Sequence, residues 1–129
     1  MIHGIGTDIV SVARMQANLD RYGDRFARRI LGEHEYEQYQ GIIHPARFLA
    51  KRFAVKEAVA KALGTGLSAG VQLRQICVEH DDRGKPRLAY SGQAATLCRE
   101  AQICQSHVSI SDEAQYAVAF VVLESQQAP

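Results

Sequence analysis

The most regular hydrophobic pattern in the chain runs from Phe48 to Leu63 at the three- and four-residue spacing of a helix, opened by Pro45 and stopped by Gly64. Phe53, Val55, Ala58, Val59 and Leu63 supply packing surface, while Glu57 and Lys61 fall one turn apart on a shared face. Before it, alternation over Ile2 to Val10 predicts a strand with Gly4, Gly6, Asp8 and Val10 on one side. Ser11 is placed to cap a helix reaching about Tyr22, with Val12, Met15 and Leu19 as its buried stripe. Gly23 and Asp24 restart the pattern: Asp24 caps Arg25 to Leu31, and a further helical piece, Glu33 to Gln40, follows Gly32. Both pieces are expected to be short and surface-mounted.

After the long helix, Leu73 to His80 and Pro86 to Tyr90 read as strands joined by an Asp81 to Lys85 turn, which makes a hairpin. Ser91 is placed to cap a helix to about Gln102, with Ala94, Ala95, Leu97, Cys98 and Ala101 on its apolar side. His107 to Ser111 alternates, residues 111 to 115 turn, and Tyr116 to Leu123 reads as a buried strand. Without repeats or linkers, the interleaved elements predict a single α+β domain over residues 1–124, a largely antiparallel sheet on helices, with a frayed tail at 125–129.

With 129 residues and 47% hydrophobic content, the chain can build a real core, and it has no apolar run long enough for a bilayer. The start of the chain lacks a secretory signal pattern, so a cytoplasmic protein without a membrane partner is expected. Cys77, Cys98 and Cys104 lack paired spacing and suit neither a disulfide framework nor a zinc knuckle. The net charge of +1 hides an asymmetry, because Arg14, Arg21, Arg25, Arg28 and Arg29 crowd one early stretch around Met15 and Phe26. That patch suits an acidic protein helix, and equally a set of solvated helix faces. No nucleic-acid motif accompanies it, so no nucleic-acid partner is expected.

Asp8 at a strand end and Glu57 on a helix are hard oxygen ligands that suit a magnesium ion with positions left for phosphate and water. Taken alone, Asp8 also fits a turn or cap, and Glu57 with Lys61 also fits an ordinary exposed ion pair. Gly64, Thr65 and Gly66 offer backbone that can approach a phosphate, or simply a helix stop. His107, Ser109 and Ser111 share one strand face, and Gly84, Lys85 and Pro86 form a hairpin tip. A metal-dependent phosphohydrolase and a non-catalytic module holding an acidic partner are both compatible with these groups.

Taken together, Gly4 to Val10 with Arg14, then Arg47 to Gly66, then Gly84 to Pro86, then His107 to Asp112 resemble the holo-acyl-carrier-protein synthases, the small trimeric branch of the 4'-phosphopantetheinyl transferases. The resemblance extends from near residue 2 to about Glu124, with the motifs in order and at the family's spacing. It implies transfer of the 4'-phosphopantetheine arm of coenzyme A to a serine of apo-acyl carrier protein, releasing adenosine 3',5'-bisphosphate, in support of fatty-acid synthesis. It further implies Mg2+ held by Asp8 and Glu57, and Lys61 at the leaving phosphate. Lys61, Gly64, Thr65, Gly66, Gly84, Lys85, Pro86, His107 and Ser109 would surround coenzyme A. Arg14, Arg21, Arg25, Phe26 and Arg28 would dock the carrier, and the sites would straddle the protomers of a homotrimer.

Overall fold

The structure is a computed structural model that describes residues 1–126. In chain order it comprises β1 (Ile2–Ser11), α1 (Val12–Tyr22), α2 (Asp24–Ile30), α3 (Glu33–Tyr39), α4 (Pro45–Leu63), a 3-10 turn (Leu73–Gln75), β2 (Ile76–His80), β3 (Pro86–Tyr90), α5 (Gly92–Glu100), β4 (Ile103–Asp112) and β5 (Tyr116–Ser125). This is a single α+β domain, and all strand pairs are antiparallel: β1-β5-β4 form one sheet and β2-β3 a hairpin.

The long helix α4 lies at the centre. Ala50, Ala54, Val55, Ala58 and Val59 are completely buried against one face of the large sheet, where Val10, Ala117, Ala119, Val121 and Leu123 point inward. The close approach is written into two glycines of β1. A methyl group on Gly4 would stand 2.0 Å from the Ala62 carbonyl oxygen, and one on Gly6 would stand 1.9 Å from that of Ala58. Only hydrogen fits there, so strand and helix backbones touch.

Several expectations meet a different outcome. Ser11 does cap α1, accepting from the Arg14 N–H. Asp24, by contrast, is the first residue of α2 and not its cap; its carboxylate accepts from Arg28 Nε at 2.7 Å and from the Tyr36 hydroxyl at 2.6 Å. Ser91 flanks α5 without a capping side-chain bond, because Gln75 Oε1 already takes the Ala94 N–H at 3.3 Å. Residues 73–75 turn as a 3-10 helix before the hairpin begins. The hairpin itself forms, with Asp81 Oδ1 accepting from the N–H groups of Arg83 and Lys85 at 2.9 Å. Residues 127–129, where most of the frayed tail was expected, lie outside the described residues; Ser125 ends β5.

The last strand departs from its sequence reading in a way that bears on function. Its burial alternates, with Ala117, Ala119 and Val121 covered by α4 and Tyr116, Val118 and Phe120 open on the far face. The register sets Val118 beside Ile9 and Ser111, and Phe120 beside Thr7 and Ser109. Together with Ile5, these residues make an exposed apolar sheet face.

Candidate active site and its relatives

Because so many positions of α4 are covered, the six that are half-buried or exposed become informative. They are Pro45, Arg47, Lys51, Phe53, Glu57 and Lys61. Five of these, from Arg47 onward, recur every two to four residues and form one open stripe. Phe53, expected as core, belongs to that stripe and walls a cleft.

That cleft, of about 250 Å³, lies between β1, α1, α2 and α4 and is lined by Asp8, Arg14, Asn18, Phe26, Phe53 and Glu57 among others. Asp8 and Glu57, far apart in sequence, therefore face the same space. Lys61 Nζ bridges from α4 to β1, donating to the Thr7 carbonyl oxygen at 2.9 Å and to Asp8 Oδ1 at 3.1 Å. Burial pushes the Glu57 carboxyl above its ordinary pKa, the charge of Asp8 adds to the rise, and Lys61 opposes it. Asp8 and Glu57 thus offer two hard oxygen donors to one cleft, which Arg14 also lines.

Gly64 ends α4 in the left-handed region at φ +86°, with Gly66 at φ +59° and its N–H on the Ala60 carbonyl oxygen at 3.1 Å. The Gly64 to Gly66 loop thus leaves the helix directly beyond Lys61. A second cleft, of about 320 Å³, gathers Gly84 and Pro86 from the hairpin tip and Ser109 from β4 with Lys51, Arg52 and His80. His107 sits on the open sheet face by register, with Nε2 3.2 Å from Glu124 Oε1. Within one chain, Gly84, Pro86 and Ser109 line a different cleft from Asp8 and Glu57.

Arg25, Phe26, Arg28 and Arg29 line a larger groove of about 910 Å³, continued by Phe53, Leu67, Leu73 and Arg74. Phe26 and Phe53 border both this groove and the cleft of Asp8 and Glu57, so the two spaces are contiguous across their rings. Arg14 lies in the cleft itself. Arg21 extends over the Tyr22 ring at 5.2 Å. Arg28 is held by Asp24 and lies over Tyr36 at 4.2 Å, which makes it the most restrained of the docking candidates.

Sequence reasoning overlooked Asn18 as a cleft residue and Lys51, Arg52 and His80 around the hairpin. For Lys51 the signal was the open stripe of α4, which continues through it to Arg47, but a lysine on a helix reads as an ordinary solvent contact; Asn18, Arg52 and His80 carry no such signal. It also overlooked the buried polar cluster behind the stripe. There Lys56 is 0% exposed and Arg52 5% exposed, both facing Glu35.

A family model for the 4'-phosphopantetheinyl transferase superfamily matches residues 4–121. The holo-[acyl-carrier-protein] synthase of Aliivibrio salmonicida is 51% identical over 124 residues, covering 96% of this chain and 98% of that protein. Among solved structures, the holo-[acyl-carrier-protein] synthase of Neisseria meningitidis superposes with a TM-score of 0.92 at 43% identity, covering 97% of this chain and all of that one. The Bacillus anthracis holo-(acyl-carrier-protein) synthase, solved in complex with CoA (3',5'-ADP), gives a TM-score of 0.82 at 41% identity and covers 98% and 99% of the two chains. With the family model spanning nearly the whole domain, and relatives matching it end to end in sequence and fold, the chain belongs to the 4'-phosphopantetheinyl transferase superfamily, in its holo-acyl-carrier-protein synthase branch.

Proposed function

We propose that the cleft between β1 and α4 is where the 4'-phosphopantetheine arm of coenzyme A passes to a serine of apo-acyl carrier protein, leaving adenosine 3',5'-bisphosphate. The observation that carries this reading is the convergence of Asp8, Glu57 and Lys61 beside a groove edged with arginines. Such a product primes fatty-acid synthesis, and a cytoplasmic setting goes with it. No helix among the described residues is long and apolar enough to cross a membrane.

The donor set fits a magnesium ion. Asp8 and Glu57 offer hard oxygens on one cleft, and no third His, Cys, Asp or Glu joins them in a cluster among the described residues, leaving positions for substrate oxygens and water. When bound, such an ion would neutralise charge on the diphosphate. Asp8 and Glu57 would hold it.

The remaining work falls to side chains. The carrier serine Oγ attacks the β-phosphorus of coenzyme A, a P–O bond forms, and the bond to the bisphosphate leaving group breaks in line. Lys61, on the open stripe beside Asp8, balances negative charge on the leaving phosphate oxygen. The serine proton passes to a carboxylate of the cleft or to water. Gly64, Thr65 and Gly66 present backbone next to Lys61 for the phosphates. Gly84, Lys85, Pro86, His107 and Ser109 serve the nucleotide end, and the cations Lys51 and Arg52 beside them suit its phosphates.

Of these groups, Gly84, Pro86 and Ser109 line a different cleft from Asp8 and Glu57 in one chain, which supports a site completed by a neighbouring copy. The exposed face of Ile5, Ile9, Tyr116, Val118 and Phe120 supports the same assembly, a homotrimer. Arg14, Arg21, Arg25, Phe26 and Arg28 receive the acidic helix of the carrier. The test is mass spectrometry of apo-acyl carrier protein after incubation with coenzyme A, magnesium and the chain. Gain of one phosphopantetheine arm supports transfer. Release of phosphopantetheine to water favours hydrolysis, and binding without chemistry favours a docking module.

A further inference from the structure

Lys56 precedes Glu57 in sequence yet faces the other side of α4, where it is fully buried. Its Nζ donates to the Ile30 carbonyl oxygen at 2.6 Å and to Glu35 Oε1 at 2.5 Å. Ile30 is the last residue of α2, so this bond grips the helix that carries Arg25, Phe26 and Arg28 at its C-terminal carbonyl. Glu35 is tied independently, accepting from the Gly32 N–H and the Val78 N–H at 3.0 Å each.

A seven-residue helix does not hold its own bearing, and its last carbonyls have no partner within it. Ala27 and Ile30 bury α2 against the core, but apolar contact is non-directional. A methionine at position 56 would fill similar space without the desolvation cost of an ammonium. What the lysine adds is direction: a fixed distance between one carbonyl of α2 and the backbone of α4 next to Glu57. Phe26 on α2 and Glu57 on α4 border the same cleft, so a shift of α2 along or away from α4 would reshape it.

We propose that Lys56 is a positioning residue for the acceptor: through the Ile30 carbonyl it registers the α2 docking surface, and with it the carrier serine, against Glu57. The claim rests on the transferase reading above. Coenzyme A does not depend on α2 in that reading, so the two substrates should respond differently.

The experiment compares steady-state transfer by the wild type, Lys56→Met and Glu35→Gln, with apo carrier and coenzyme A varied in turn. Both substitutions disturb the buried cluster and should lower the melting temperature, but only Lys56→Met releases Ile30. For Lys56→Met the KM for carrier should rise by about tenfold or more, while that for coenzyme A stays within about twofold. Glu35→Gln should keep the carrier KM within about twofold of the wild type. Should Lys56→Met fail to fold, Glu35→Gln still decides, because a large rise in its carrier KM would assign the effect to the cluster as a whole and overturn the role of the Ile30 bond. Unchanged KM values with only kcat reduced in Lys56→Met, as partial unfolding would give, also overturn it. A wild type that leaves the carrier unmodified removes the transferase reading and this inference together, whereas an active wild type with equal rises for both substrates removes the inference alone.

Discussion

Lys61 crosses from α4 to β1 and holds Asp8 at 3.1 Å, so the lysine expected at a leaving phosphate first meets the carboxylate expected at a metal. In the metal-free protein this contact also shapes the third member. Glu57 is raised by burial and by Asp8 and lowered by Lys61, so Asp8→Asn should bring its titration midpoint down, and Lys61→Met should move it up. Carboxyl-carbon NMR titration measures both, and opposite movement would contradict the electrostatic account.

The same shift has a stability consequence. A carboxyl whose folded pKa is raised contributes stability that is complete below its unfolded value, ordinarily 4.5, and is lost as pH rises through the folded value. At pH 7 the ionised Glu57 is therefore a burden on the metal-free fold. Glu57→Gln should melt higher than the wild type at pH 7, and the difference should disappear in melts below about pH 4.

Gly6 sets the clearance between β1 and α4. Gly6→Ala places a methyl group 1.9 Å from the Ala58 carbonyl oxygen, and only backbone movement relieves it. A loss of about 3 kcal/mol in chemical denaturation is expected. Residual folded protein should have lost transfer, since the displaced helix carries Glu57 and Lys61 away from Asp8.

Phe120, 45% exposed at the middle of the open sheet face, tests assembly. Phe120→Lys should sediment as a monomer with unchanged helical circular dichroism and no transfer, against a trimeric wild type. A wild type that sediments as a monomer at micromolar concentration would remove the shared-site reading.

Arg25 is exposed, lines the groove, and makes no ion pair among the described residues. Arg25→Glu should raise the carrier KM by about tenfold, and raising salt from 50 to about 300 mM should weaken the wild type in the same direction. Coenzyme A KM should change little in either experiment.

How much of this could be read in the sequence varies by element, for physical reasons. The limits of α4 were legible because Pro45 and Gly64 are local signals, and the hairpin because Asp81 and Gly84 carry their turn chemistry with them. The convergence of Asp8 and Glu57 was legible only through the match of motifs, since nothing local ties residues so far apart. Lys56 stayed hidden because a lysine in a helical pattern counts as polar surface; its partners Ile30 and Glu35 are distant along the chain. Asp24 was read as a cap because that is what aspartate does before a helix, yet Arg28 and Tyr36 compete for it more effectively. Tyr116 to Leu123 looked buried on both faces because its outer residues are as apolar as its inner ones, and one chain alone supplies no cover for them.

The single open stripe of α4 also bounds what can be altered by design. With the other flanks of that helix committed to sheet, hairpin and the Glu35 cluster, substitutions along it fall either on the stripe of the proposed site or in the interior. On the proposed docking, acceptor choice would be retuned instead in α2, whose Arg25 and Arg29 are exposed and stand outside the cleft of Asp8 and Glu57.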